Sequence, residues 1–233
     1  MSSPATSRPD VGVVVVAAGA GARAGPGEPK QFRPILGVPM LLRALRPFTS
    51  HPAVGQVVAV VPAGFESRPP EWLGKLTGER LALVAGGATR AASVRAGLGA
   101  LAPEASVVLI HDGARPFVTR ETIDGVVAKA RSGVGAVAAI PMGDTVKEAT
   151  EHRVTRTLAR ERLWRAQTPQ GFPRLMIEQA YAHLADAPPP TDDAELCERA
   201  GLPVEVVPDS PYNLKVTTAD DFRIAEALAR ELR

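Results

Sequence analysis

Cysteine is the scarcest residue of this sequence: Cys197 is the only one in 233 positions. A single thiol excludes an intrachain disulfide and any metal site built from cysteines alone. It sits in a helical pattern, DDAELCERAG, and reads as a packing residue rather than a nucleophile. No apolar run is long enough to span a membrane. The N-terminal MSSPATSRPD lacks a charged-then-apolar signal pattern, so residues 1–10 are expected to be a disordered tail and a cytoplasmic location is the default. Net charge is nearly absent as well: 27 Lys and Arg stand against 25 Asp and Glu, a formal +2. Neither a nucleic acid nor a membrane is implied as partner by that balance. Acids are missing altogether between Pro29 and Phe65, where Lys30, Arg33, Arg43 and Arg46 lie. A positive field there suits an anionic small molecule, although surface charge is an equal reading for Arg43 and Arg46.

What is present is a chain of one-domain length. Apolar, β-branched runs recur at Val11–Val16, Gln56–Val61, Leu81–Val84, Ser106–Ile110, Gly133–Ile140 and Pro203–Val207. They do not alternate with polar residues, which is the pattern of strands buried on both faces. Helical patterns separate them: Pro39–Phe48, Thr89–Leu101, Thr119–Arg131, Pro173–Leu184 and Thr217–Arg233, with Thr119 and Thr217 as expected N-caps. The alternation predicts a single α/β domain over residues 11–233, Rossmann-like, with a mostly parallel sheet and helices on both faces. Residues 143–164 depart from this. GDTVKEATEHRVTRTLARERLW has short alternating stretches, many charges and no helix-length apolar face. It is expected to protrude as a β-arm that packs on a second subunit, with a surface loop as the alternative.

Ligands of such sheets bind beyond the C-terminal strand ends, which makes the loops there the search list. The first, Ala17-Ala18-Gly19-Ala20-Gly21-Ala22-Arg23, lets backbone amides approach a phosphate and adds a guanidinium. It lacks the Gly-Lys-Ser/Thr of a Walker loop. Its Gly19-x-Gly21-x-x-Ala24 spacing formally fits a dinucleotide fingerprint. However, Gly25-Pro26-Gly27-Glu28-Pro29 cannot continue the helix that fingerprint needs, and the acid required for a ribose is missing. A phosphate-wrapping loop closed by Pro29-Lys30-Gln31 remains. After the third strand, Gly86 and Gly87 precede a helix carrying Ser93, a weak signal alone. After the fourth, Asp112 followed by Gly113 suits a hard cation such as Mg²⁺, with capping as the alternative, and Arg115 is placed to clamp a phosphate. Asp144-Thr145 follows the fifth strand. Thr191-Asp192-Asp193 is placed to cap a helix, and Asn213–Thr217 puts Lys215 in an expected short strand. His51, His152 and His183 have no mutual metal-ligand spacing, and His111 lacks a serine or cysteine arranged for a triad. Positioned cations, one carboxylate and no acid–base pair fit phosphoryl or nucleotidyl transfer.

The segments AAGAGAR (17–23), PKQF (29–32), GGATRAASV (86–94), HDGARPF (111–117), DTVK (144–147), LWRAQTPQGF (163–172), TDDA (191–194) and NLKVTT (213–218) occur in this order. In that order they resemble the 2-C-methyl-D-erythritol 4-phosphate cytidylyltransferase family, one of the glycosyltransferase-A-like nucleotidyltransferases, over nearly the whole chain. The resemblance implies that Ala17, Ala18, Gly19 and Gly21 meet the nucleotide. It also implies that Arg23 and Lys30 hold the CTP phosphates, with Lys215 beside the reacting phosphates. Gly86, Gly87 and Ser93 would line the cytosine pocket, and Asp112 would bind Mg²⁺. Arg115, Thr145, Arg160, Thr168 and Thr191 would surround the sugar phosphate. It further implies a homodimer in which the arm reaches the partner's site. Two positions depart from the family pattern: Val16 stands where proline is frequent, and Ala88 where an acid is. A sister activity, ribitol 5-phosphate cytidylyltransferase, shares the same expected fold and nucleotide site.

Overall fold

A computed structural model of the protein describes residues 9–19, 29–183 and 188–232. The elements run β1 (Val11–Val16), β2 (Pro34–Ile35), β3 (Val38–Pro39), α1 (Met40–Thr49), β4 (Val54–Val61) and α2 (Glu71–Gly74). They continue with β5 (Leu81–Ala85), α3 (Arg90–Gly99), β6 (Val107–Asp112), α4 (Arg120–Arg131) and β7 (Gly135–Pro141). The arm contributes β8 (Lys147–Thr150) and β9 (Arg153–Thr157), and β10 (Trp164–Pro173), α5 (Arg174–Ala182), α6 (Asp193–Arg199), β11 (Val204–Pro208) and α7 (Ala219–Glu231) complete the chain.

Seven strands form one sheet in the order β11-β7-β10-β6-β1-β4-β5. The valines of β1 explain its place. Paired in parallel with both β4 and β6, this strand has no solvent face. Val13 and Val15 pack with Leu41, Leu45 and Phe48 of α1 and with Ile123 and Val126 of α4. Val14 points the other way, among Val94 and Leu98 of α3, Ile177 and Tyr181 of α5, and Cys197 of α6. Helices therefore cover both faces, as the alternation predicts. A third cluster seats Phe222 and Ala225 of α7 against Ile35 and Met40.

Several details correct the sequence reading. Between β6 and β7 lies β10, antiparallel to both neighbours. Its LWRAQTPQGF sequence has no β-branched run, and its register shifts between Ala166 and Gln170, so periodicity does not announce it. Residues 213–217 are not a strand; Val216 N–H donates to the Ala114 carbonyl at 2.8 Å and no ladder follows. The cap of α7 is Thr218 rather than Thr217, in a capping box with Asp221. Asp10, expected in the tail, belongs to the folded body: its carbonyl accepts the Ser106 N–H at 2.9 Å and its carboxylate pairs with Arg131. Residues 143–164 do contain a hairpin. Strands β8 and β9 are exposed along their whole length and joined through Glu151 and His152, both at positive φ (48° and 66°). Among the described residues no helix is long and apolar enough to cross a membrane.

Candidate active site

Because β1, β4, β5 and β6 are parallel, their C-terminal ends share one edge, and a cleft of about 660 Å³ opens there. Residues 17–19 continue from β1, with Ala17 N–H donating to the Val60 carbonyl at 2.7 Å. The far end of the first loop returns to this point: the buried Gln31 side-chain amide donates to the Ala17 carbonyl at 2.6 Å. That latch fixes the neighbouring Lys30, whose Nζ donates to the Val216 carbonyl at 3.1 Å. The residues in which a dinucleotide-binding helix would begin, 20–28, lie outside the described residues, and α1 begins at Met40. Arg23 and Gly21 lie outside the described residues.

The second wall is the turn before α3. A Cβ at Gly86 would stand 2.1 Å from the Ala18 Cβ, so only glycine lets the two loops meet. Gly87 N–H donates to Ser93 Oγ at 3.1 Å, and that hydroxyl donates to the Thr89 carbonyl at 3.0 Å. Gly87, Ala88 and Ser93 line the cleft, with Gly86 just behind. Ala88 carries no polar side chain, so any polar contact to a base at this position is made by backbone.

The third wall is the end of β6. Among the described residues Asp112 is the only acid lining the cleft, and Lys215, Arg90 and Arg115 surround it. Lys215 Nζ lies at 2.7 Å, Arg90 Nε at 3.5 Å and Arg115 Nε at 3.8 Å. Burial alone would raise the carboxyl's pKa; Lys215, Arg90 and Arg115 instead hold it far below the usual carboxylate range. Beneath it, Asp112 N–H donates to Thr168 Oγ1 at 3.0 Å, and the Thr168 hydroxyl donates to His111 Nδ1 at 3.1 Å. His111 Nε2–H completes the chain by donating to the Arg115 carbonyl at 3.0 Å. Burial lowers the His111 pKa to about 4, so the ring is the neutral tautomer this chain requires.

A second cavity, of about 560 Å³, lies on the other side of Lys215 and is lined by Arg115, Arg165, Gln167, Tyr212, Leu214 and Ile224 among others. Arg115 donates to the Asn213 carbonyl at 2.7 Å. The remaining residues named from the sequence stand elsewhere. Thr168 is buried behind Asp112 with its hydroxyl committed. Thr145 is exposed beside the arm, Arg160 donates to the Gly143 carbonyl from an exposed turn, and Thr191 donates to Glu195. The structure adds Arg90 and Gln31 to the cleft. Both sit inside the quoted motifs, but only the fold shows that one faces the carboxylate and the other latches the loop. Cys197 is buried in α6 with its thiol pushed up to about 12 by burial, the state of a packing residue.

Chemically, a cleft lined by Lys30, Arg90 and Lys215 with a single carboxylate suits a polyanion. Among the described residues no group of three or more His, Cys, Asp or Glu could hold a metal. A cation bound by protein alone therefore does not fit. One Mg²⁺ held by a single carboxylate and by substrate phosphates does.

The family model described as "IspD: 2-C-methyl-D-erythritol 4-phosphate cytidylyltransferase" matches residues 11–231. A 2-C-methyl-D-erythritol 4-phosphate cytidylyltransferase of Syntrophus aciditrophicus is 40% identical over 232 residues, covering 96% of this chain and 97% of that protein. One from Salinibacter ruber is also 40% identical, with 93% and 91% covered. A bifunctional IspD/IspF enzyme of Paracoccus denitrificans is 44% identical over 98% of this chain, which spans 57% of its length. Among solved structures, 4-diphosphocytidyl-2C-methyl-D-erythritol synthase from Anaerococcus prevotii superposes with a TM-score of 0.82 at 28% identity, covering 94% of this chain and 98% of that one. The Thermus thermophilus cytidylyltransferase gives 0.77 at 32%, covering 93% and 98%. The chain belongs to the 2-C-methyl-D-erythritol 4-phosphate cytidylyltransferase family.

Proposed function

We propose that the protein joins CTP to 2-C-methyl-D-erythritol 4-phosphate, giving 4-diphosphocytidyl-2-C-methyl-D-erythritol and pyrophosphate. The observation that carries this reading is the meeting of Arg90 and Lys215 at Asp112, in a cleft at the C-terminal sheet edge that Lys30 also lines. In-line attack by a phosphate oxygen of the polyol on the α-phosphorus needs positioning and charge neutralisation. It needs no general base, because the nucleophile is already an anion.

Lys30 and Lys215, with Arg23, stabilise the charge that builds on the α-phosphate and the departing pyrophosphate. Lys215, 44% exposed, can exchange its bond to Asp112 for one to a phosphate. Asp112 is then the residue that holds Mg²⁺, and the ion, when bound, neutralises phosphate charge. Ala18 and Gly19 offer backbone N–H groups to the nucleotide, and Gly87 with the small side chains at Ala88 and Ser93 leaves room for the base. The polyol phosphate enters from the second cavity, where Arg115 and Arg165 supply positive charge and Leu214 an apolar surface for the methyl branch. Thr168 supports the site through Asp112 rather than by touching substrate. Thr145 and Arg160 serve the partner's cleft in a homodimer, a reading supported by their exposed places on the arm.

The test is pyrophosphate release with CTP and each polyol phosphate in turn. Release with methylerythritol 4-phosphate and little with ribitol 5-phosphate is expected. The opposite preference would move the protein to the sister activity, and CTP binding without release from either would make it a non-catalytic nucleotide module.

A further inference from the structure

Asp193 is a carboxylate with no exposed surface, and none of the roles above uses it. Burying such a group is unfavourable unless it is fully paired. Its Oδ1 accepts the Tyr181 hydroxyl at 2.6 Å and its Oδ2 accepts Arg90 Nη2–H at 2.7 Å. Its own N–H donates to the Gln170 side-chain carbonyl at 3.0 Å, as the Ala194 N–H does at 2.9 Å. Gln170 belongs to β10, so the carboxylate is fixed to the middle of the sheet. Burial, with Asp193 beside it, pushes the Tyr181 hydroxyl far above its ordinary range and keeps it a donor.

Arg90 therefore spans two carboxylates unequally. The short bond goes to Asp193, which no ligand can reach, and the longer contact, 3.5 Å, to Asp112 in the cleft. Arg115 is drawn away in the same manner, bonding the Asn213 carbonyl at 2.7 Å while staying 3.8 Å from Asp112. Of the three cations only the half-exposed Lys215 bonds Asp112 closely, and it stands on a segment outside the sheet. A guanidinium released from Asp193 would turn two N–H groups onto Asp112 as a bidentate pair and close that carboxylate to other ligands.

We propose that Asp193 is a positioning residue that holds Arg90 off Asp112, keeping the Asp112 carboxylate available to a divalent cation arriving with the nucleotide phosphates. This rests on the reading that Asp112 holds the cation. The test is Mn²⁺ affinity of the full chain, measured by electron paramagnetic resonance with a non-hydrolysable CTP analogue bound. Asp112→Asn weakens it, and Asp193→Asn weakens it by about tenfold or more, as outer-shell partners of metal ligands do. Adding Arg90→Gln to Asp193→Asn restores it towards wild type, which loss of a structural prop would not allow. Wild-type affinity in folded Asp193→Asn, or no recovery in the double variant, overturns the proposal and leaves the cation reading standing. Wild-type affinity in Asp112→Asn overturns both. Should Asp193→Asn fail to fold, Tyr181→Phe carries the test, and unchanged Mn²⁺ affinity there overturns the proposal.

Discussion

Lys30 and Lys215 come from opposite ends of the chain to one cleft, and Lys30 donates to the carbonyl of the residue next to Lys215. Removing one positioned charge from a transition state typically costs on the order of 3 kcal/mol, about a hundredfold in rate. Lys30→Ala is expected to lose turnover by about that factor while its melting temperature falls by only about 3 °C. Wild-type kcat in the purified variant would remove Lys30 from the chemistry. His111 gives a stability signature at the same scale. The unfolded chain takes up this proton near 6.5, the folded one only near 4, so the unfolded state binds more protons in between. Stability should fall as pH drops through that window, by about 3 kcal/mol from this residue. Asp112, held below its ordinary 3.8, contributes above that pH and is lost only beneath it, so the two do not overlap. Urea midpoints measured against pH should flatten between 6.5 and 4 in His111→Gln. Lys30 and Asp112 could be read from the sequence because one closes the first loop and the other ends a buried strand, while Lys215 is named through the family resemblance of NLKVTT. Asp193 could not, since in Asp192-Asp193 one aspartate caps α6 and its neighbour is buried, and only the fold distinguishes them.

The parallel strands announced themselves as elements because burial on both faces leaves a continuous run of valine, isoleucine and leucine. β10 stayed hidden, its Gln170 holding the start of α6, its Gln167 donating to the Asn213 carbonyl and its register against β7 shifting between Ala166 and Gln170. Helix α3 shows how tightly an element seats the site. A Cβ on Gly97 would lie 2.4 Å from Val14 Cγ1 and 3.0 Å from Val60 Cγ2, both buried β-branched side chains on central strands. Alanine is the better helix former, yet overpacking of this kind costs about 1–3 kcal/mol. Gly97→Ala should therefore lower stability in denaturant unfolding and, by lifting the N-terminal turn that carries Arg90 and Ser93, raise KM for CTP. A stabilised variant would show that α3 has slack against the sheet.

At the scale of the whole molecule, β8 and β9 are exposed along their whole length and leave Val154 57% exposed. The proposal that a second copy covers this hairpin rests on that exposure, and its test is the oligomeric state. Sedimentation should give a mass near twice that of the chain. Replacing residues 147–157 by a short glycine–serine turn should give a folded monomer with little turnover. A fully active monomeric wild type would contradict that assignment of the arm. The claim that joins these scales is attack by the polyol phosphate on the α-phosphorus of CTP. Methylerythritol 4-phosphate carrying ¹⁸O on its phosphate tests it, with mass spectrometry of both products. All of the label is predicted in the cytidine diphosphate ester and none in pyrophosphate; label in pyrophosphate, or no ester at all, would contradict the account.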